Sequence, residues 1–146
     1  MTAEQALALS LHTLTGLPVY PLLLPSEITE GVTYQRISDP EIEVGLVRTG
    51  LITARFQITL YLTDDYTGLL QLDKKIWRAW RPVVHGQIEG FPVQHVARGG
   101  IQQDKYVLTS GSVQYRLARD FFFTYAQRAE NADANGVGEG DDEDIR

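Results

Sequence analysis

Over residues 52–62 the chain alternates without a break. Ile52, Ala54, Phe56, Ile58, Leu60 and Leu62 are apolar, and Thr53, Arg55, Gln57, Thr59 and Tyr61 lie between them. Period two over this length predicts a long strand with one buried and one polar face. Such a strand suits an antiparallel sheet covered by helices on one side. Residues 2–15 follow a helical period instead, with Leu7, Leu11 and Leu14 at i, i+4 and i+7. Thr2 and Gln5 have the spacing of a capping box, and Gly16 follows as a stop. Pro18, Pro21 and Pro25 then exclude a helix from residues 17–25, which read as an extended connector with at most a short edge pairing at Val19 and Tyr20. Residues 32–37 form a second strand candidate with partial alternation. Residues 38–50 mix charged and apolar positions and read as a long loop, the kind of segment that carries function.

The second helix is predicted over residues 66–80, capped by Thr63 or one of Asp64 and Asp65 and ended before Pro82. Leu69, Leu72, Ile76 and Trp80 share one of its faces, with Trp77 beside them. Residues 87–98 read as a strand broken by Gly90 and Pro92. Residues 99–111 read as a turn or loop with a short strand near Tyr106. The last strand spans residues 112–127, with Tyr115, Leu117, Arg119, Phe121, Phe123 and Tyr125 on one side. Arg116, Ala118, Asp120, Phe122 and Thr124 lie on the other. Three consecutive phenylalanines put aromatic surface on both faces, so this strand is central in its sheet or meets another subunit. The order helix, strand, strand, helix, strand, strand predicts an α+β fold. It is a two-layer sandwich in which a mainly antiparallel sheet of about four strands packs against two helices.

The chain has 146 residues, 43% of them hydrophobic, enough for one domain with its own core, residues 1–128. It contains no cysteine, which excludes disulfides, thiolate metal sites and cysteine nucleophiles. No apolar run is long enough to span a membrane. The N-terminus has no basic stretch leading into an apolar one, so no signal peptide is expected and the protein is read as cytoplasmic in assembly. The net charge of −6 is localised: from Glu130 onward there are seven acids and one base, and the remainder balances at 12 of each. Residues 129–146 are therefore read as an acidic, disordered tail that solubilises the chain, repels DNA or docks on a basic surface. The balanced domain has no global electrostatic reason to bind nucleic acid.

Candidate chemistry is sparse. His12, His85 and His95 have no second ligand at metal-site spacing and read as surface, turn and strand residues. Asp64 and Asp65 read as helix caps rather than a catalytic pair. Nucleotide and nucleophile motifs are missing, and the glycines of residues 136–140 precede an acidic run that would repel phosphate. Lys74, Lys75, Arg78 and Arg81 gather in the second half of the second helix, as a solvated end or a contact to an acidic neighbour. Aromatic and basic residues interleave at residues 77–81 and 115–119, a pattern that can stack on nucleic acid or simply reflect amphipathicity. No catalytic, cofactor or metal site is expected, and the chain is not read as an enzyme.

The succession of the N-terminal helix, Val19-Tyr20-Pro21, Val32-Thr33-Tyr34-Gln35-Arg36-Ile37-Ser38, Ala54-Arg55-Phe56-Gln57-Ile58-Thr59-Leu60-Tyr61, an amphipathic helix and Arg119-Asp120-Phe121-Phe122-Phe123-Thr124-Tyr125 resembles the phage tail-terminator, or tail-completion, proteins. The resemblance covers about residues 5–127. It implies a structural virion subunit at the head-proximal end of the tail. That subunit forms a six-fold ring with itself, caps the tail tube, stops its polymerisation and presents a surface to a head-completion or connector protein. DNA would pass through the lumen without sequence-specific binding, and no membrane would be involved. A head–tail adaptor or a tube subunit is the alternative in the same machine, and a small-ligand-binding α+β domain is the alternative from another class. For ring contacts, Glu41, Glu43 and Arg48 are expected to set register by charge while Val44, Leu46 and Val47 supply apolar contact. Phe122 and Thr124 are candidates for an inter-subunit strand surface.

Overall fold

The structure, a computed structural model, describes residues 1–134. The chain runs α1 (Ala3–Thr15), β1 (Val19–Pro21), β2 (Gly31–Ser38), β3 (Glu41–Val44), β4 (Val47–Thr63), α2 (Tyr66–Trp80), β5 (Val84–Ile88), β6 (Phe91–Val107), β7 (Val113–Ala126) and α3 (Gln127–Ala134). One sheet has the order β1-β2-β4-β7-β6-β5, with β3 also paired to β4. β1 runs parallel to β2 and every other pairing is antiparallel. The expected sandwich of about four strands and two helices is corrected by this arrangement. About half of the described residues are strand, in a curled, mixed, seven-stranded half-barrel accompanied by three short helices.

The extra strands come from segments read as loops, and each has a physical cause. Within residues 38–50, β3 and the start of β4 form a hairpin whose two-residue turn begins with Gly45 at φ +62°. Glycine at the first central position suits the tight hairpin turn that matches strand twist. At Glu89 and Gly90 both φ angles are positive, +50° and +84°, so the supposed break between two half-strands is a second tight turn joining β5 to β6. Residues 101–107 continue β6 because β7 offers them a partner, from Ile101 opposite Arg119 to Val107 opposite Val113. Their side chains are exposed on both faces, so no alternation marks them in the sequence.

The helices form as their sequence signals direct. Thr2 and Gln5 make the reciprocal capping box of α1, and Gly16 ends it in the left-handed conformation. Asp65 caps α2, its Oδ1 accepting from the Gly68 N–H at 2.9 Å. Both helices pack on one face of the sheet. The core between them holds Leu7 and Leu11 of α1, Leu69, Ile76 and Trp80 of α2, and the alternate apolar residues 52–62 of β4 with Phe121, Phe123 and Tyr125 of β7. Trp80 meets Phe121 and Phe123 edge-on, with centroids 5.0 and 5.2 Å apart, and its indole N–H donates to the buried Ser10 hydroxyl at 3.0 Å.

Candidate functional site

The β3–β4 hairpin carries the expected contact residues and stands away from the body of the sheet. β7 accompanies β4 only as far as Leu51, which pairs with Ala126, so residues 47–50 have β3 alone beside them. Glu43 faces Arg48 and Val44 faces Val47 across the hairpin. One Arg48 nitrogen lies 3.6 Å from both the Glu41 and Glu43 carboxylates, so the three charges share one face. The Thr49 hydroxyl donates to the Ile42 carbonyl, and the Gly50 N–H donates to Glu41. At the tip Val44, Leu46 and Val47 are 66%, 104% and 64% exposed. Three large apolar side chains held in water by a hydrogen-bonded hairpin form an exposed apolar patch.

The other predicted residues occupy different places. Phe122 is half-buried on the sheet face opposite the helices, close over Gly99, where a Cβ would come within 2.9 Å of its ring. Thr124 is half-buried between Thr53 and His95 on the neighbouring strands. The structure therefore does not bring Phe122 and Thr124 to the hairpin tip. Asp64 accepts from the Val113 N–H at 2.9 Å and ties the β7 start to the end of β4. His12 contacts the Leu17 carbonyl at 3.0 Å, and His85 contacts the Gln94 amide oxygen. His85 and His95 stand on adjacent strands, since Val84 pairs with His95. Among the described residues no three His, Asp or Glu side chains gather to hold a metal ion.

The aromatic–basic runs are resolved by burial. Trp80 is in the core, Trp77 lies under the Arg98 guanidinium at 5.1 Å, and Tyr115 leans on Tyr66 at 5.4 Å. Trp80 has no face open to a base, and the faces of Trp77 and Tyr115 are partly covered. Lys74, Lys75, Arg78 and Arg81 are exposed and make no ion pair among the described residues. An apolar pocket lined by Ala6, Leu7, Phe91, Phe123 and Tyr125 is too small for a ligand.

Sequence reasoning missed two polar clusters. Arg36 of β2 donates to Glu4 at 3.2 Å, Asp39 at 3.3 Å, the Tyr125 hydroxyl at 2.8 Å and Glu130 at 3.2 Å, with its guanidinium 5.0 Å from the Phe56 ring centre. Tyr125 in turn donates to Glu130 at 2.8 Å, and Glu130 also accepts from the Ala3 N–H at 3.1 Å. Burial works against the Arg36 charge, but the hydrogen bond to Tyr125 and the nearby Glu130 outweigh it and raise its pKa. Burial, reinforced by the bond to Glu130, raises the Tyr125 pKa. In the second cluster, Arg119 makes a bidentate pair with Asp73 of α2 at 3.2 and 2.7 Å. Arg36–Asp39 and Tyr125–Glu130 are local contacts, but Arg36 lies 32 to 94 residues from its other partners and Arg119 lies 46 from Asp73, so no local spacing announces the clusters.

No family model matches the chain, and no curated protein matches it. Among 29 chains of solved structures that match, one aligns over 84% of this chain and 90% of its own length with 11% identity and a TM-score of 0.47. That protein is known by a serial identifier that states no function, and a likeness of this degree carries no argument. No helix among the described residues is long and apolar enough to cross a membrane.

Proposed function

We propose that this chain is a structural subunit that works by assembling with copies of itself, in the role its sequence resemblance implies: a ring that caps a phage tail tube, stops its growth and offers the head a joining surface. The observation that carries the reading is the β3–β4 hairpin, whose apolar tip is exposed while the charges behind it are mutually paired. A surface of this kind gains free energy when a neighbour removes it from water, about 25 cal/mol for each Å² of apolar area covered. The assembly half of the reading stands on that hairpin, and the tail-end half stands on the resemblance.

Mass photometry and electron microscopy of the purified protein test it. The expected species is a closed ring; unlimited tubes would mean a tube subunit, and a monomer at every concentration would end the reading. Deleting residues 41–48 is expected to leave a folded monomer that no longer forms rings. Phage made without this protein should carry abnormally long tails.

A further inference from the structure

We infer that the surface receiving the hairpin is the outer edge of β6 over residues 101–107 of a neighbouring copy of this chain, by strand addition to β3; this rests on the assembly reading above. β5 pairs with β6 only as far as His95. Past that point, β6 has β7 on one side and no strand on the other among the described residues. A free edge presents a row of backbone donors and acceptors to any incoming strand. All seven residues 101–107 are exposed, including Ile101, Tyr106 and Val107. β3 has the matching property, since it pairs with β4 on one side only.

The side chains suit each other as well. Asp104 is held by Arg116 at 2.7 and 2.8 Å, which leaves Lys105 as a cation without an ion pair among the described residues. Glu41 and Glu43 on one face of the hairpin can meet Lys105, while Val44 on the other face can meet Tyr106. β5 and the Gly99–Gly100 register shift bound the open edge at its inner end, so the hairpin has a defined place to stop.

Topology decides between a ring and a dimer. The hairpin leaves the sheet beyond Leu51 on the β2 side, whereas the free β6 edge lies at the Thr63 and Val113 end on the far side. These are diagonally opposite corners, roughly 40 Å apart along a strand of this length. A contact between two different corners of successive copies is heterologous and closes into a ring when the rotation permits. Pairing of two β6 edges with each other would be isologous and would stop at a dimer.

The cysteine-free chain makes a direct test possible. Val44→Cys in an isotope-labelled chain is mixed with unlabelled chains carrying Gln102→Cys or Tyr106→Cys, which lie on the face opposite Lys105, and with Val84→Cys, an exposed β5 position, as control. After mild oxidation, a labelled–unlabelled disulfide is expected with at least one β6 variant and not with the control. Lys105→Glu in the Gln102→Cys chain should lower its yield about fivefold, and Glu41→Lys with Glu43→Lys in the partner should restore it. Rings that form with no mixed disulfide, or with β6–β6 disulfides dominating, would overturn the acceptor while leaving assembly intact. Absence of any assembly would overturn both.

Discussion

Arg36 joins four segments through single hydrogen bonds: Glu4 of α1, Asp39 after β2, Tyr125 of β7 and Glu130 of α3. Tyr125 is the hinge of this cluster, because it accepts from Arg36 and donates to Glu130, and the donation requires its proton. Its folded pKa is raised above the ordinary 10.0. The stability this contributes is therefore complete below the unfolded value and is lost as pH rises through the folded one. Tyr125→Phe should cost about 1–2 kcal/mol at neutral pH. Its unfolding midpoint in urea should then fall less steeply than that of the parent above about pH 10; an equal slope would remove Tyr125 as the cause. Asp73 and Arg119, nearly buried as a bidentate pair, set a second test. Asp73→Asn leaves the guanidinium without its counter-charge, and denaturant unfolding should show a loss of about 3 kcal/mol. Both clusters escaped the sequence reading for one reason. An arginine at a strand position looks like any solvated charge until folding supplies partners from remote segments.

At the scale of elements, legibility followed burial on one face. α1, α2 and the middle of β4 each present apolar residues at a single period to one core, so their spans and caps were readable. The hairpin, the turn at Glu89 and Gly90, and the outer half of β6 were not, because their side chains face water on both sides or sit in turns. Asp73, not singled out from the sequence, lies on the buried face of α2 between Leu69 and Ile76, where Arg119 meets it. The candidate contact residues of the hairpin were legible as a group, and their geometry was not. Apart from Glu41, which pairs with Ile52, the hairpin pairs outside the β4–β7 ladder, so removing residues 41–48 should shift the melting temperature little, by about 2–4 °C. A loss several times larger in scanning calorimetry would make the hairpin part of the core rather than an appendage.

For the whole molecule, charge and assembly separate along the chain. The expected acidic tail of residues 129–146 begins within α3, where Glu130 docks against Arg36 and Tyr125; from residue 135 onward it lies outside the described residues. Residues 135–146 hold five acids and one base. A chain ending at Ala134 should form the same species as the full chain by mass photometry, since both proposed contact corners lie elsewhere. A changed stoichiometry would give the acidic stretch a part in assembly. The sequence alone determined where α1 and α2 start, which residues of β4 and β7 face the core, and that no cysteine chemistry is available, since each depends on neighbours within a few positions. Only the tertiary structure decided that the sheet has seven strands, that an apolar hairpin stands at one corner and that a free edge lies at the opposite one. Strand pairing is a relation between distant segments, and a strand exposed on both faces leaves no periodic trace of its partner in the chain.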